Sequence, residues 1–140
     1  MNNMNNNHNF INMKISFTVF LVFFSVFCFG QTKVDGLKNK YLKTYKGTIP
    51  SYSILSDTAI VRVDETPIEI QITKSEIKMT IGKLSKNGSY KVLFKGKSFY
   101  VLDAYFEGDI TPERIIVNER NKTIIREGTY PQPKTTLKAN

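Results

Sequence analysis

Apolar and polar side chains alternate with a period of two through much of the chain. On both sides of the short polar turn 73–76, isoleucine or methionine occupies every second position: Ile68, Ile70, Ile72, Ile77, Met79 and Ile81. Such alternation gives each strand one apolar and one wet face, as a half-buried antiparallel sheet requires. The pattern therefore predicts a hairpin made of residues 68–72 and 77–81, and the same period in residues 59–63 predicts a strand before it.

Turn-forming residues divide the rest of the chain into further strands. Turns are predicted at three glycine-containing segments, namely Asn87-Gly88, Lys95-Gly96-Lys97 and Glu107-Gly108-Asp109. Strands are predicted at residues 90–94, 98–106, 113–118 and 122–127, the last two joined by Glu119-Arg120-Asn121. Because proline lacks a backbone N–H, Tyr130-Pro131-Gln132-Pro133 is restricted to a loop or a sheet edge.

The segment at residues 36–46 supports two interpretations. Leu37, Tyr41 and Tyr45 recur at helical spacing, and Gly47 is placed to end a short helix. Alternatively, residues 45–54 form the first strand, and Gly47 marks a close approach of two backbones. The pattern leaves both interpretations open for residues 41–46.

About seven or eight short strands at intervals of roughly 8–12 residues are typical of an all-β protein. We predict an antiparallel meander that forms a small barrel or a sandwich, with room for one short N-terminal helix. The chain after residue 30 has no internal repeat and no linker, so residues 31–140 are predicted to form a single β domain.

The first thirty residues are typical of a targeting segment. Fifteen residues without a charge, 15–29, follow Lys14 and precede Gly30 and Gln31. A positive charge, a short apolar core and a small residue at the exit predict a secretory signal peptide cleaved after Gly30. The core is shorter than the roughly 20 residues that span a bilayer, which disfavours the alternative of a retained membrane anchor. We therefore expect an exported protein, periplasmic or secreted, with no transmembrane segment after cleavage.

Two further expectations concern this leader. Residues 1–12 are rich in asparagine and carry no charge, so we expect translation to begin at Met13; the alternative is a long N-terminal region of the signal. Lipid attachment at Cys28 is not expected, because Phe27 is bulky where lipoprotein processing requires a small residue.

Composition limits the chemistry available to the exported part. The chain has 140 residues with one Cys, one His and no Trp, and both Cys28 and His8 lie in the predicted leader. Without them the domain has no thiol nucleophile, no thiolate or imidazole metal ligand and no Ser-His-Asp triad. We therefore expect a protein that is not an enzyme and that needs no cofactor or metal. The formal net charge of +8 favours solubility, and no nucleic-acid-binding motif accompanies it.

The strand predicted at residues 98–106 is apolar on both faces. One face carries Phe99, Val101, Asp103 and Tyr105, and the other carries Tyr100, Leu102, Ala104 and Phe106. A strand with two apolar faces is covered on both sides, either by the rest of the domain or, on one face, by a ligand or a partner. The candidate ligand- or partner-binding residues are Tyr90, Phe99, Tyr100, Asp103 and Tyr105, with Asp103 as the polar group.

Four carboxylates, Asp103, Glu107, Asp109 and Glu113, lie within eleven residues. A glycosidase-type hydrolase would need two of Asp103, Glu107 and Glu113 about 5–9 Å apart in a cleft, and a calcium site would need a loop with regularly spaced acids. The simpler interpretation is a solvated turn at residues 107–109, so a carboxylate-based hydrolase is the weakest hypothesis.

Three segments resemble small bacterial secreted proteins with a lipocalin-like barrel. They are Tyr45-Lys46-Gly47-Thr48, the 68–81 hairpin and Gly88-Ser89-Tyr90-Lys91, and the resemblance covers residues 41–127. It implies a binding protein that holds a small apolar ligand in the barrel. The Gly-x-Trp sequence of lipocalins is absent, so no family binding residue is carried over.

Two functions are consistent with these patterns. The first is ligand binding, which a cavity of at least roughly 300 Å³ lined by Tyr90, Tyr100 or Phe106 would favour. The second is a protein-binding module, such as an inhibitor, an immunity-type protein or an envelope-complex subunit. A filled interior with an exposed patch around Phe99 and Tyr105 would favour this alternative.

Overall fold

A computed structural model describes residues 36–140 of the chain. The predicted signal peptide and its cleavage site, the translation start at Met13, and the side chains of His8 and Cys28 lie outside the described residues.

The described residues form ten strands and one short 3₁₀ turn. The turn is Asn39–Tyr41, and the strands are β1 (Thr44–Ile49), β2 (Tyr52–Leu55), β3 (Ile60–Val63), β4 (Thr66–Ile72), β5 (Glu76–Ile81), β6 (Leu84–Lys95), β7 (Phe99–Phe106), β8 (Glu113–Asn118), β9 (Thr123–Arg126) and β10 (Thr135–Ala139). The predicted all-β class is confirmed.

Eight of these strands close into an antiparallel barrel with the order β1-β10-β9-β8-β7-β6-β5-β4, and β1 pairs with β4 to complete the circle. The barrel is the first of the two predicted arrangements and is consistent with a lipocalin-like fold. Strand β10, which the sequence pattern did not reveal, joins β9 to β1. Without it the sheet would have two open edges. Strands β2 and β3 pair only with each other, as a separate hairpin.

Most of the predicted hairpins and turns are confirmed. Strands β4 and β5 pair with Ile70 opposite Met79, and the alternating isoleucines point into the barrel. The Thr73 side chain closes their turn, because its hydroxyl oxygen accepts a bond of 3.0 Å from the backbone N–H of Glu76. The turns at 95–97 and 107–109 and the hairpin of β8 and β9 also lie where the sequence placed them.

The turn predicted at Asn87-Gly88 is wrong, because both residues lie inside the long strand β6. The turn before β6 is instead at Gly82-Lys83, where Gly82 has a φ of +57°. Gly88 has a different role: a Cβ there would lie 2.2 Å from the backbone oxygen of Tyr105 on β7. Glycine at this position therefore marks a close approach of two strands. In the sequence, such a glycine cannot be distinguished from a glycine in a turn.

Of the two interpretations left open for residues 36–46, the helical one is wrong beyond a single turn. The helical part is the 3₁₀ turn of three residues, and strand β1 begins at Thr44. The i+4 spacing of Leu37, Tyr41 and Tyr45 arises because all three are buried against the same core. The alternative first strand at 45–54 is correct for β1 but is interrupted at Pro50, after which β2 leaves the barrel.

The two ends of the barrel differ. At one end, which we name the closed end, Tyr41 covers the interior and its ring lies 5.7 Å from the ring of Tyr100. The Tyr90 hydroxyl donates a hydrogen bond of 2.8 Å to the backbone oxygen of Thr73 at this same end. The other end, which we name the open end, is formed by the β5–β6 turn, the β7–β8 loop and the β9–β10 loop. The packed core lies between the two.

The closed end gives the barrel an alkaline limit of stability. Tyr45 is 1% exposed, and its hydroxyl donates to the backbone oxygen of Tyr41 over 3.0 Å. Burial, followed by the charge of Tyr41, raises the pKa of Tyr45 from 10.0 to about 12. The unfolded chain loses this proton at lower pH than the native protein does. We therefore expect stability to fall as pH rises from 10 to 12, by up to roughly 3 kcal/mol.

Urea unfolding followed by circular dichroism at pH 8 to 12 measures this loss. The Tyr45→Phe variant is the control. At pH 8 its free energy of unfolding should be about 1 kcal/mol lower than that of the wild type, because the variant lacks the hydrogen bond. Above pH 10 its stability should decline less steeply. An equally steep decline in both proteins would contradict the assignment to Tyr45.

Candidate functional site

A cavity of about 550 Å³ lies at the open end of the barrel. Its walls come from the β5–β6 hairpin, the β7–β8 loop, the β9–β10 loop and the inner side of the β2–β3 hairpin. These segments meet there because β5, β7 and β9 end where β6, β8 and β10 begin, as an up-and-down antiparallel order requires. The cavity is therefore a product of the barrel topology.

The floor of the cavity carries a buried ion pair between Glu113 and Arg126. Glu113 is the first residue of β8, Arg126 is the last residue of β9, and both side chains point inward. Arg126 Nε donates to Glu113 Oε2 over 2.6 Å, and Arg126 Nη2 donates to Glu113 Oε1 over 2.5 Å. Arg126 is 1% exposed and Glu113 is 6% exposed. The paired, planar geometry is the strong form of an arginine–carboxylate contact.

The β9–β10 loop is attached to this ion pair. Gln132 Oε1 accepts a hydrogen bond of 2.7 Å from Arg126 Nη2, and Thr129 Oγ1 donates to Glu113 Oε1 over 3.4 Å. Gly128 allows the loop to fold tightly, because it has a φ of +72° and a Cβ would lie 2.8 Å from the backbone oxygen of Gln132. The guanidinium is therefore held in one orientation from two sides.

One atom of this arrangement has no partner. Arg126 Nη1 is buried and finds no hydrogen-bond acceptor among residues 36–140. Its neighbours Nε and Nη2 are both occupied. A buried donor without an acceptor is costly, so it calls for an explanation.

The charged residues that line the cavity form two ion pairs. Besides Glu113 and Arg126, the Lys86 ammonium lies 2.5 Å from Asp109 Oδ1. Each cation therefore has an acid beside it, and the lining contributes no net charge.

The rim of the cavity is apolar and exposed. Leu84 is 74% exposed, Tyr130 is 89% exposed and Ile110 is fully exposed, although all three line the cavity. Tyr52 and Ile54 of the β2–β3 hairpin add apolar surface to the wall. We name Leu84, Ile110 and Tyr130 the apolar rim. Large apolar side chains grouped around an opening are typical of binding sites.

The candidate residues predicted from the sequence lie elsewhere, and none of them lines this cavity. Tyr100 is fully buried in the core near the closed end, where burial raises its pKa. Tyr90 is half-buried near the β4–β5 turn, and burial raises its pKa as well. Phe99, Asp103 and Tyr105 point outward from β7. The structure therefore separates the five residues onto two faces of the barrel wall.

The outward-facing candidates contact their own neighbours. The Phe99 ring lies 5.7 Å from that of Phe94 and covers Gly96. Asp103 pairs with Arg114 on β8 at 3.4 Å. The Lys91 ammonium lies 5.5 Å from the ring of Tyr105. These contacts cover the second apolar face of β7 only in part, since Phe99 is 37% exposed and Tyr105 is 41% exposed. A role of these residues in binding stays a prediction.

Of the four carboxylates, Asp109 and Glu113 line the cavity, each beside a cation, and Asp103 does not. Ala104 lies opposite Glu113 in the sheet, and Asp103 is the next residue of the same strand. Successive side chains of a strand point to opposite faces, so Asp103 lies outside the barrel and Glu113 inside.

Two further findings concern the described part of the chain. Within residues 36–140, no group of three His, Cys, Asp or Glu side chains could hold a metal ion. In the same range no helix is long and apolar enough to cross a membrane.

The sequence contains a signal for this ion pair in the placement of its two charged residues. Arg126 follows Ile124 by two positions, and Glu113 precedes Ile115 and Val117 by two and four. Both charged residues therefore occupy inward positions of adjacent predicted strands. Opposite charges at such positions indicate a buried pair, because an isolated buried charge is too costly to be retained.

Comparison of the chain with protein-family models, with curated proteins and with solved structures finds no match.

Proposed function

We propose that this chain is an exported binding protein that holds a small, largely apolar ligand in the cavity at the open end of its barrel. The observation that carries the proposal is the cavity itself. Its volume of about 550 Å³ is in the range of small-molecule sites, and its rim is apolar. The proposal of export rests on the uncharged segment 15–29 and the small residue at its end.

Binding is favoured over catalysis by the state of the charged groups in the site. Glu113 is engaged by two guanidinium nitrogens, and Asp109 is engaged by Lys86. A carboxylate whose oxygens already accept hydrogen bonds from a cation is not free to contact a substrate. The site is therefore built to hold a ligand in place.

The proposal is tested with N-phenyl-1-naphthylamine, an uncharged apolar dye whose fluorescence rises in apolar surroundings. The protein is used as isolated from cells, after mass spectrometry has established its N-terminus. We expect saturable binding, and we expect Ile81→Trp to weaken it several-fold, because Ile81 lines the cavity and a larger ring there reduces its volume.

Ile116→Trp is the matched control. Ile116 is also a half-buried isoleucine within a strand, but it lies on the outer face of β8, away from the cavity. Its variant should bind the dye like the wild type. Equal loss of affinity in both variants, or no binding by the wild type, would contradict a ligand site at the open end.

One observation favours the second candidate, a protein-binding module. The β2–β3 hairpin lies outside the barrel sheet and exposes Leu55, Ile60 and Val61 by at least half of their surface. An exposed apolar hairpin is a suitable contact surface for another protein. The dye titration separates the two candidates, because a pure protein-binding module would bind the dye neither as wild type nor as the Ile81→Trp variant.

A further inference from the structure

We propose that Arg126 Nη1 donates a hydrogen bond to an uncharged acceptor oxygen of the ligand. The ligand class is then a neutral, mostly apolar molecule with a carbonyl group, such as a ketone, an ester or an amide. This inference rests on the proposed ligand-binding function and specifies which ligands the same cavity selects.

The position of the unpaired donor supports this assignment. Among residues 36–140, three buried side-chain polar atoms lack a partner: Arg126 Nη1 and the hydroxyls of Tyr41 and Tyr100. Both hydroxyls belong to the closed end. Of the three residues, Arg126 alone lines the cavity. Arg126 lies in the wall of the cavity, so a ligand oxygen that reached Nη1 would satisfy a buried donor that no acceptor in residues 36–140 satisfies.

The guanidinium is oriented before any ligand arrives. Glu113 holds it through Nε and Nη2, and Gln132 holds Nη2 from the β9–β10 loop. The direction of the Nη1 donors is therefore fixed, since the five donors of arginine are arranged in a rigid plane. A ligand that binds there does not have to order a flexible side chain, which favours affinity.

Charge balance decides between a neutral and an anionic ligand. The positive charge of Arg126 is already compensated by Glu113, and that of Lys86 by Asp109. A ligand carboxylate would therefore add an uncompensated negative charge beside the buried Glu113, which is unfavourable. A carbonyl oxygen accepts the same hydrogen bond without adding a charge. The apolar rim suits the rest of such a molecule.

The test compares three fluorescent probes that share one ring system. They are 6-propionyl-2-(dimethylamino)naphthalene, which carries a ketone, 2-(dimethylamino)naphthalene, which lacks it, and 6-(dimethylamino)-2-naphthoate, which carries a carboxylate. We expect the ketone to bind the wild-type protein about tenfold or more tightly than either of the others, because a hydrogen bond from a charged donor contributes at least that factor. The carbonyl stretching band of the bound ketone should shift to lower frequency, as hydrogen bonding requires.

The double variant Arg126→Met/Glu113→Leu removes the donor together with its acid. We expect the affinity ratio of ketone to unsubstituted ring to fall close to one. The matched control is Arg114→Met/Asp103→Leu, which removes the other guanidinium–carboxylate pair of the barrel, on the outer face of β7 and β8. This control should keep the tenfold ratio.

Each outcome has one meaning. If no probe binds the wild type, the proposed function fails, and the inference fails with it. If the unsubstituted ring binds as tightly as the ketone, ligand binding stands and the role of Nη1 is overturned. If the carboxylate binds most tightly, the neutral ligand class is overturned. If the double variant does not fold, the probe comparison and the carbonyl band of the wild type still decide the matter.

Discussion

Replacing Arg126 with methionine is expected to destabilise the protein by about 3–5 kcal/mol. The substitution leaves Glu113 as an unpaired carboxylate that is 6% exposed, and removing one partner of a buried pair typically has an effect of this size. It also releases Gln132, so the β9–β10 loop loses one of its two hydrogen bonds to the ion pair and keeps only that of Thr129 to Glu113. Urea unfolding at pH 7 followed by circular dichroism measures the loss.

Two comparisons separate the buried charge from the lost packing. The double variant Arg126→Met/Glu113→Leu should recover most of the stability, because an apolar pair of similar volume often replaces a buried ion pair without loss. Arg114→Met should cost less than about 1 kcal/mol, since its pair with Asp103 lies at the surface, where Arg114 is half exposed. Similar losses in Arg126→Met and in the double variant would show that packing, and not the unpaired carboxylate, dominates.

Gly88→Ala is expected to cost about 3 kcal/mol or more, or to prevent folding. The added Cβ would lie 2.2 Å from the Tyr105 oxygen and 3.0 Å from the Phe106 Cα, both backbone atoms of the neighbouring strand. Backbone cannot rotate away as a side chain can, so β6 and β7 would have to separate along a ladder that begins at this residue. Overpacking of a core typically costs 1–3 kcal/mol, and a contact this short with backbone lies at or above the top of that range.

Two other glycines provide a graded control. A Cβ at Gly47 would lie 2.8 Å from the Thr136 oxygen, so Gly47→Ala should be intermediate. A Cβ at Gly36 would meet nothing within 4 Å, so Gly36→Ala should change stability by less than about 1 kcal/mol. Chemical denaturation of the three variants ranks them. A Gly88→Ala protein as stable as Gly36→Ala would mean that the two strands are not as close as described.

The ion pair at the floor of the cavity connects stability with the proposed function. A pair of apolar residues would fill the same space and would leave no buried donor unsatisfied. The protein instead keeps Arg126 with two of its three nitrogens bound and the third free of any acceptor in the described residues. Features that a fold tolerates at some cost to stability are concentrated at functional sites. The unsatisfied donor Nη1 is therefore the group to which we assign the ligand contact.

Local sequence patterns were sufficient to predict most of the wall of the barrel. The hairpin of β4 and β5 follows directly from the isoleucines at every second position, because only one register places all of them inside. Turn-forming residues, and not alternation, located β7 and the hairpin of β8 and β9. The turn signal failed at Gly88, because a glycine that allows two strands to approach has the same sequence signature as a glycine in a turn. Alternation missed β10, whose short segment Thr135–Ala139 has a single buried aliphatic side chain, Leu137.

The sequence by itself determined the all-β class, most strands of the barrel wall and the absence of Cys and His from residues 31–140. These properties depend on side-chain type and on neighbours a few residues away, which any reader of the chain can see. The tertiary structure alone decided that the sheet closes into a barrel, which end remains open, and that Glu113 and Arg126 meet at the floor of the cavity. Those properties depend on contacts between residues far apart in the chain. The interaction between Glu113 and Arg126 becomes strong only when the closed sheet excludes water from the two charges and fixes their geometry.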